Sequence, residues 1–176
     1  ALPILQAGEK LVLLKQLTIE NFRPFHGEQE VYFSTDQKKN VSVIHAENGA
    51  GKSAILSAIL WCLYEKVISG FKHPDILLNY EAEKQGINEF KVELEFTHQG
   101  FDYRVVRKGY KRNGSNSSAV AAFRIIDHNE KPITNANNFI NSVVPESMAE
   151  YFFFHGEGEI ASRGKSIQIG RAHVWT

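Results

Sequence analysis

The sequence is short of the features that mark a secreted or membrane protein. Cys62 is its one cysteine, so no disulfide framework can form within the chain, and a reducing cytoplasm is the expected compartment. No apolar run approaches the roughly 18 residues of a membrane span, so no membrane partner is expected. The opening Ala1-Leu2-Pro3-Ile4-Leu5 lacks the basic region, long apolar segment and cleavage pattern of a secretory signal. An excess of charge is missing too, with 20 Lys plus Arg against 20 Asp plus Glu. Nothing global therefore demands a polyanionic partner, and any nucleic-acid surface must be a local patch. Internal repeats are absent. Met148 is the one methionine and none stands at position 1, a first sign expected of a fragment. A second sign is the end, Ile169-Gly170-Arg171-Ala172-His173-Val174-Trp175-Thr176, which resembles a translated sequencing adapter and is set aside from the functional reading.

What is present is ordinary for a folded domain: 176 residues, 43% hydrophobic and 23% charged, enough for one core. The expected organisation is a lead-in over 1–10, one lobe over 11–165 and a tail over 166–176. Leu11 to Ile19 reads as a first strand, interrupted by Asn21-Phe22-Arg23-Pro24-Phe25 because Pro24 has no amide to donate. Glu28 to Ser34, with Val31 and Phe33 on one side, predicts an antiparallel partner. Val41-Ser42-Val43-Ile44 predicts a short strand of the kind covered on both faces. Lys52 to Tyr64 predicts a helix that is apolar almost all round and therefore buried on several sides. Residues 67–86 read as loop and short helix. Phe90, Val92, Leu94 and Phe96 alternate with polar residues, and Phe101, Tyr103 and Val105 continue the alternation on a returning strand. A polar loop over 112–118 leads to a third strand at Val120 to Asp127. Thr134 is the expected cap of a helix carrying Phe139, Ile140, Val143 and Val144. Pro145 opens another turn through Glu150, and Tyr151-Phe152-Phe153-Phe154 reads as a buried strand. His45, Cys62 and these aromatics are expected in the core.

The most specific signal is Ala46-Glu47-Asn48-Gly49-Ala50-Gly51-Lys52-Ser53, lying between an apolar strand and a helix. Gly49 and Gly51 let the backbone from Glu47 through Ala50 turn its amides toward phosphate oxygens. The helix beginning at Lys52 adds the positive end of its dipole. Lys52 supplies an ammonium to the β and γ phosphates of a nucleotide, and Ser53 a hydroxyl to Mg²⁺. ATP and Mg²⁺ are thus the expected ligands. One departure from the pattern is Ala46, where the first glycine usually stands.

The flanks choose among phosphate-loop families. Leu17-Thr18-Ile19-Glu20-Asn21-Phe22-Arg23 with Phe25 resembles the opening strand and turn of the SMC, SbcC and RecN/RecF group. Asn48 to Ser53 is similar to that group's Asn-Gly-x-Gly-Lys-Ser/Thr loop, and Ala54 to Tyr64 to its following helix. The resemblance spans roughly Leu13 to Arg163, nearest to DndD-like and SbcC-like ATPases. It implies an α/β fold: the N-terminal lobe of an ABC-type P-loop head, with a mixed sheet around a buried helix and an antiparallel meander. It also implies that Arg23 reaches the bound nucleotide, the alternative being a surface arginine beside Pro24. Phe153-Phe154-His155-Gly156-Glu157 resembles the segment that ends beside the γ-phosphate. There His155 would replace the usual glutamine, touching Mg²⁺ and orienting the attacking water; a plain loop histidine is the alternative. Glu157 reads as a solvated acid.

Arg104, Arg107, Lys108, Lys111 and Arg112, with Tyr103 and Tyr110 among them, form the one basic cluster. The family's use of this small sheet for duplex DNA makes them candidate phosphate contacts, against a solvated hairpin tip. No strand ending in Asp-Glu, no Ser-Gly-Gly signature loop and no heptad array follows. In the family these lie beyond a coiled coil, so the resemblance implies a homodimer of heads sandwiching ATP, with a possible nuclease partner subunit. The alternatives are a degenerate nucleotide-binding module without turnover, or a transporter-type ABC ATPase.

Overall fold

In a computed structural model, the structure describes residues 12–149 apart from 37, 40, 46, 48 and 69–72. Six strands form one sheet in the order β2-β1-β3-β4-β5-β6, every neighbouring pair antiparallel. They are β1 (Val12–Glu20), β2 (Glu28–Tyr32), β3 (Glu89–His98), β4 (Phe101–Arg112), β5 (Ser115–Ile126) and β6 (Asn129–Pro132). The helices are α1 (Lys52–Tyr64), α2 (Tyr80–Lys84) and α3 (Ala136–Val143), followed by a 3-10 turn at Glu146–Met148.

Period-two patterning gives the sheet one dry face. Phe90, Val92, Leu94 and Phe96 of β3 are buried, while the residues between them are half-covered. Registration carries the same face across the sheet: Val31 lies beside Leu17, Leu17 beside Leu94, Leu94 beside Val105 and Val105 beside Ala122. This face receives α1 and α3. Phe22, Trp61 and Phe90 meet there with ring centroids 5.1–6.1 Å apart, joining the turn after β1, the middle of α1 and the start of β3. Such ring pairs add about 0.5–1.5 kcal/mol each beyond their buried area. Gly109 lies opposite Phe90 in the ladder, and the ring occupies the space a side chain would need.

Helix α1 is inserted rather than laid on a surface. Ala54, Ser57, Ala58, Ile59, Trp61, Cys62 and Leu63 are all buried, as an all-round apolar sequence requires. Glu65, left-handed at φ 61°, ends it and donates its amide to Trp61 O. Arg107, 4% exposed, reaches up from β4 to the same end. Its Nε donates to Cys62 O at 3.0 Å and its Nη2 to Leu63 O at 3.3 Å. These bonds satisfy carbonyls that have no partner within the helix, in a last turn with no basic residue of its own. Cys62 is sealed beneath, its thiol pushed up to about 12 by burial.

Several sequence expectations are corrected. Residues 41–44 form no strand, and Val41 and Val43 are 76% and 84% exposed. Among the described residues no strand runs beside them, and an extended segment without a ladder partner gains nothing from its β-branched side chains. The described sheet is consequently antiparallel throughout rather than mixed. His45 is exposed, not core. The expected polar loop at 112–118 shrinks to the tight turn Asn113-Gly114, because both residues adopt positive φ and allow β5 to begin at Ser115. Asn135, not Thr134, caps α3, accepting from the Asn138 amide. The expected aromatic strand at 151–154 lies outside the described residues.

Candidate nucleotide-binding site

The loop at 47–51 is built by two left-handed glycines. Gly49 has φ 86° and Gly51 φ 100°, conformations that cost a side-chain-bearing residue roughly 1–2 kcal/mol. Ala50 N donates to Glu47 O at 3.2 Å, which closes the turn, and Ile55 N donates to Gly51 O at 3.0 Å, which opens the helix. Lys52 lies at the exposed start of α1 with its Nζ 2.8 Å from Glu47 O, so the ammonium is held against the loop's own backbone. Ser53 follows, half-buried. No acid stands in the first turn of α1, so no carboxylate of that turn offsets the positive end of the dipole. Ala46 and Asn48 are outside the described residues, as is His155.

The turn after β1 packs on this loop. A Cβ on Gly51 would come 3.1 Å from Phe25 Cζ and 3.5 Å from Pro24 Cγ. That contact sets the residue after Arg23 against the phosphate loop, although 29 residues separate Arg23 from Lys52 in the chain. Arg23 is itself left-handed at φ 53°. Its amide donates to Leu77 O at 2.7 Å, and its carbonyl accepts from Asn79 Nδ2 at 2.7 Å. The guanidinium donates to His73 O at 3.2 Å and to Pro74 O at 3.4 Å. Burial lowers its pKa and Asp75 opposes that shift, leaving it a cation. Sequence reasoning singled out Arg23 and the turn with Pro24 and Phe25, but not the packing of these two on Gly51, and it missed Asn79. The one signal for Asn79 was its position directly before an acidic helical start, Tyr80-Glu81-Ala82-Glu83.

The five basic candidates of β4 do not share one surface. Arg107 points into the core and is withdrawn as a DNA contact, since odd positions of β4 face α1. Arg104 is on the open face but is engaged by Glu93 at 3.1 Å and Glu130 at 2.7 Å. Lys111 pairs with Glu83 of α2 at 2.7 Å. Lys108 and Arg112 are exposed, on the same open face with Tyr110 between them. Across β5 they face Ala119 and Ser115, which are small. Among the described residues no group of His, Cys, Asp and Glu could hold a metal ion, and no helix is long and apolar enough to cross a membrane.

An inserted helix led by a glycine loop, lysine and serine, with an arginine turn packed on that loop, defines a P-loop nucleotide-binding lobe. The chain belongs to the AAA domain family, which matches residues 16–170. Within it, the chain resembles the N-terminal part of SMC-like, SbcC-type ATPase heads. It is 36% identical over 98 residues to the DNA double-strand break repair Rad50 ATPase of Archaeoglobus fulgidus, covering 56% of this chain. The same-named protein of Thermoplasma acidophilum matches at 26% over 154 residues, 85% of this chain. The SbcC component of the SbcCD nuclease of Vibrio cholerae matches at 30% over 93 residues, 53% of this chain. These matches span 10%, 16% and 9% of the three relatives. Among solved structures, the SMC head domain from Thermotoga maritima matches 72% of this chain and 40% of its own at 26% identity, with a TM-score of 0.44.

Proposed function

We propose that this chain is the ATP-binding N-terminal half of an SMC/SbcC-like ATPase head that, together with a C-terminal half, hydrolyses ATP to drive DNA clamping or processing in repair or phage defence. The observation that carries the reading is the Gly51 junction. One left-handed glycine starts α1 and leads into Lys52 and Ser53, and it also receives Pro24 and Phe25, so the turn that carries Arg23 packs on the phosphate loop. Glu47, Asn48, Gly49, Ala50 and Gly51 would contribute backbone amides to the phosphates, Lys52 and Arg23 their positive charge. The Ser53 hydroxyl would ligate Mg²⁺, which supplies charge neutralisation to the phosphates when bound. His155 remains the proposed residue for Mg²⁺ and water, on the resemblance alone. The signature loop and catalytic acid would come from the C-terminal half and the second head of an ATP-sandwiched homodimer, and a nuclease subunit is the proposed partner.

DNA contact is assigned to the β4–β5 half of the open face, through Lys108 and Arg112, with Arg104 contributing only if it exchanges its carboxylates for phosphate; Lys111, an odd position of β4 paired with Glu83 of α2, lies on the other face and is withdrawn from it. The other half bears Glu20, Glu28, Glu30, Glu93 and Glu95 around Lys91, which pairs with three of them, and offers a duplex no unengaged cation there among these groups. In the full protein, K108E/R112E is expected to weaken duplex binding at least tenfold. It should also reduce the steepness of log affinity against log salt by about 2, since each phosphate contact contributes roughly 0.9. Salt-titrated fluorescence anisotropy measures both. Unchanged affinity and slope would remove this face from DNA binding.

A further inference from the structure

Asn79 spends every polar atom of its side chain on one junction. It is 6% exposed, at the start of α2. Its Oδ1 accepts from Glu81 N at 3.0 Å and Ala82 N at 3.1 Å, the ordinary work of a helix cap. The Nδ2 faces the other way and donates to Arg23 O at 2.7 Å. The backbone amide of Asn79 donates to Asn21 O at 2.8 Å, and Leu77 O accepts from Arg23 N at 2.7 Å. Asn21 is held as well, exchanging bonds with Gly27 through its amide and its Oδ1. The turn so clamped contains two non-glycine left-handed residues, Asn21 at φ 51° and Arg23 at φ 53°. Asparagine visits that region readily, whereas Arg23 persists there only where its surroundings over-determine it. Pro24, next to Arg23, and Phe25 then rest on Gly51.

We infer that Asn79 is a positioning residue for the nucleotide site: its amide holds the Arg23 backbone in the left-handed conformation from which the guanidinium is presented to the bound nucleotide. The inference rests on the reading that Arg23 reaches the nucleotide. It separates the two functions of one side chain, because a cap needs only an acceptor whereas Arg23 O needs a donor that reaches it.

Two variants keep the cap and remove that donor. Asn79→Asp places an acceptor against Arg23 O, and Asn79→Ser leaves a neutral oxygen too short to span the gap. Affinity for a fluorescent ATP analogue, read in the full protein with Mg²⁺, is expected to fall about three- to tenfold in both, the loss of roughly one net hydrogen bond. In an Arg23→Ala background the same substitutions should change affinity less than twofold, because nothing remains to be positioned. A purely structural role would give equal losses in both backgrounds and would overturn the inference, as would an effect confined to Asn79→Asp, which is charge repulsion. If Arg23→Ala leaves affinity unchanged, the Arg23 reading falls and the inference with it. If Arg23→Ala weakens binding and neither Asn79 variant does, only the inference falls. Should Asn79→Asp not fold, Asn79→Ser alone decides.

Discussion

Lys52→Ala is expected to lower affinity for ATP at least a hundredfold while leaving the unfolding midpoint within a few degrees of the parent. The two readouts part because of where the residue stands. Lys52 is exposed at the first position of α1, and among its contacts the bond from Nζ to Glu47 O is a surface contact of the loop with itself. Losing such a contact costs about 0.5–1.5 kcal/mol of stability at most. Losing an ammonium from a cluster of phosphate oxygens removes charge-assisted hydrogen bonds, worth roughly twice a neutral one each, and about 2.7 kcal/mol corresponds to a hundredfold in affinity. Alanine is also a better helix former than lysine, so α1 itself gains slightly. Equal affinity in the variant would remove Lys52 from the site.

Gly109→Ala is expected to destabilise the lobe by about 3 kcal/mol, at the upper end of overpacking costs, or to prevent folding outright. No left-handed angle is involved, since Gly109 lies in an extended strand; the requirement is space. An added Cβ would sit 2.2 Å from Phe90 Cζ and 2.3 Å from Cε2. The ring is 1% exposed and held between Phe22 and Trp61, so it has nowhere to go. Urea unfolding followed by tryptophan fluorescence reports the change in midpoint. Phe90→Leu removes the ring from the collision, so Phe90→Leu/Gly109→Ala should lie closer to Phe90→Leu alone than additivity allows. Additive losses would show that the ring does not require Gly109. The expected damage reaches the site, because Phe22 precedes Arg23 in the turn that packs on Gly51.

What the sequence disclosed follows from the range of the forces involved. The meander was legible because Phe90 to Phe96 alternates without interruption, and burial on one face of an antiparallel sheet leaves that mark in any window of seven residues. Helix α1 and its loop were legible because glycine, lysine and an all-apolar helix form a local pattern with a chemical reason behind it. Charge clusters carry no such direction. Arg107 and Lys108 are neighbours in sequence, yet one caps α1 from within the core and the other is solvent-exposed, and only the register of β4 distinguishes them. A strand pattern was likewise not enough at 41–44, where Val41 and Val43 have the right side chains but no ladder beside them. Asn79 carried a local signal as a helix cap, but its bond to Arg23 was invisible for a related reason: the partner is 56 residues away, and no local pattern encodes a donor aimed across that distance.

The loop at 47–53 is proposed to bind the phosphates of a nucleotide. Calorimetric titration of ATP with Mg²⁺ into the protein, repeated in the presence of excess tripolyphosphate, addresses it directly. Saturable binding at one site per chain, displaced by tripolyphosphate and not reproduced by adenosine alone, is expected. Absence of saturable binding up to millimolar nucleotide, or binding that survives tripolyphosphate, would contradict it.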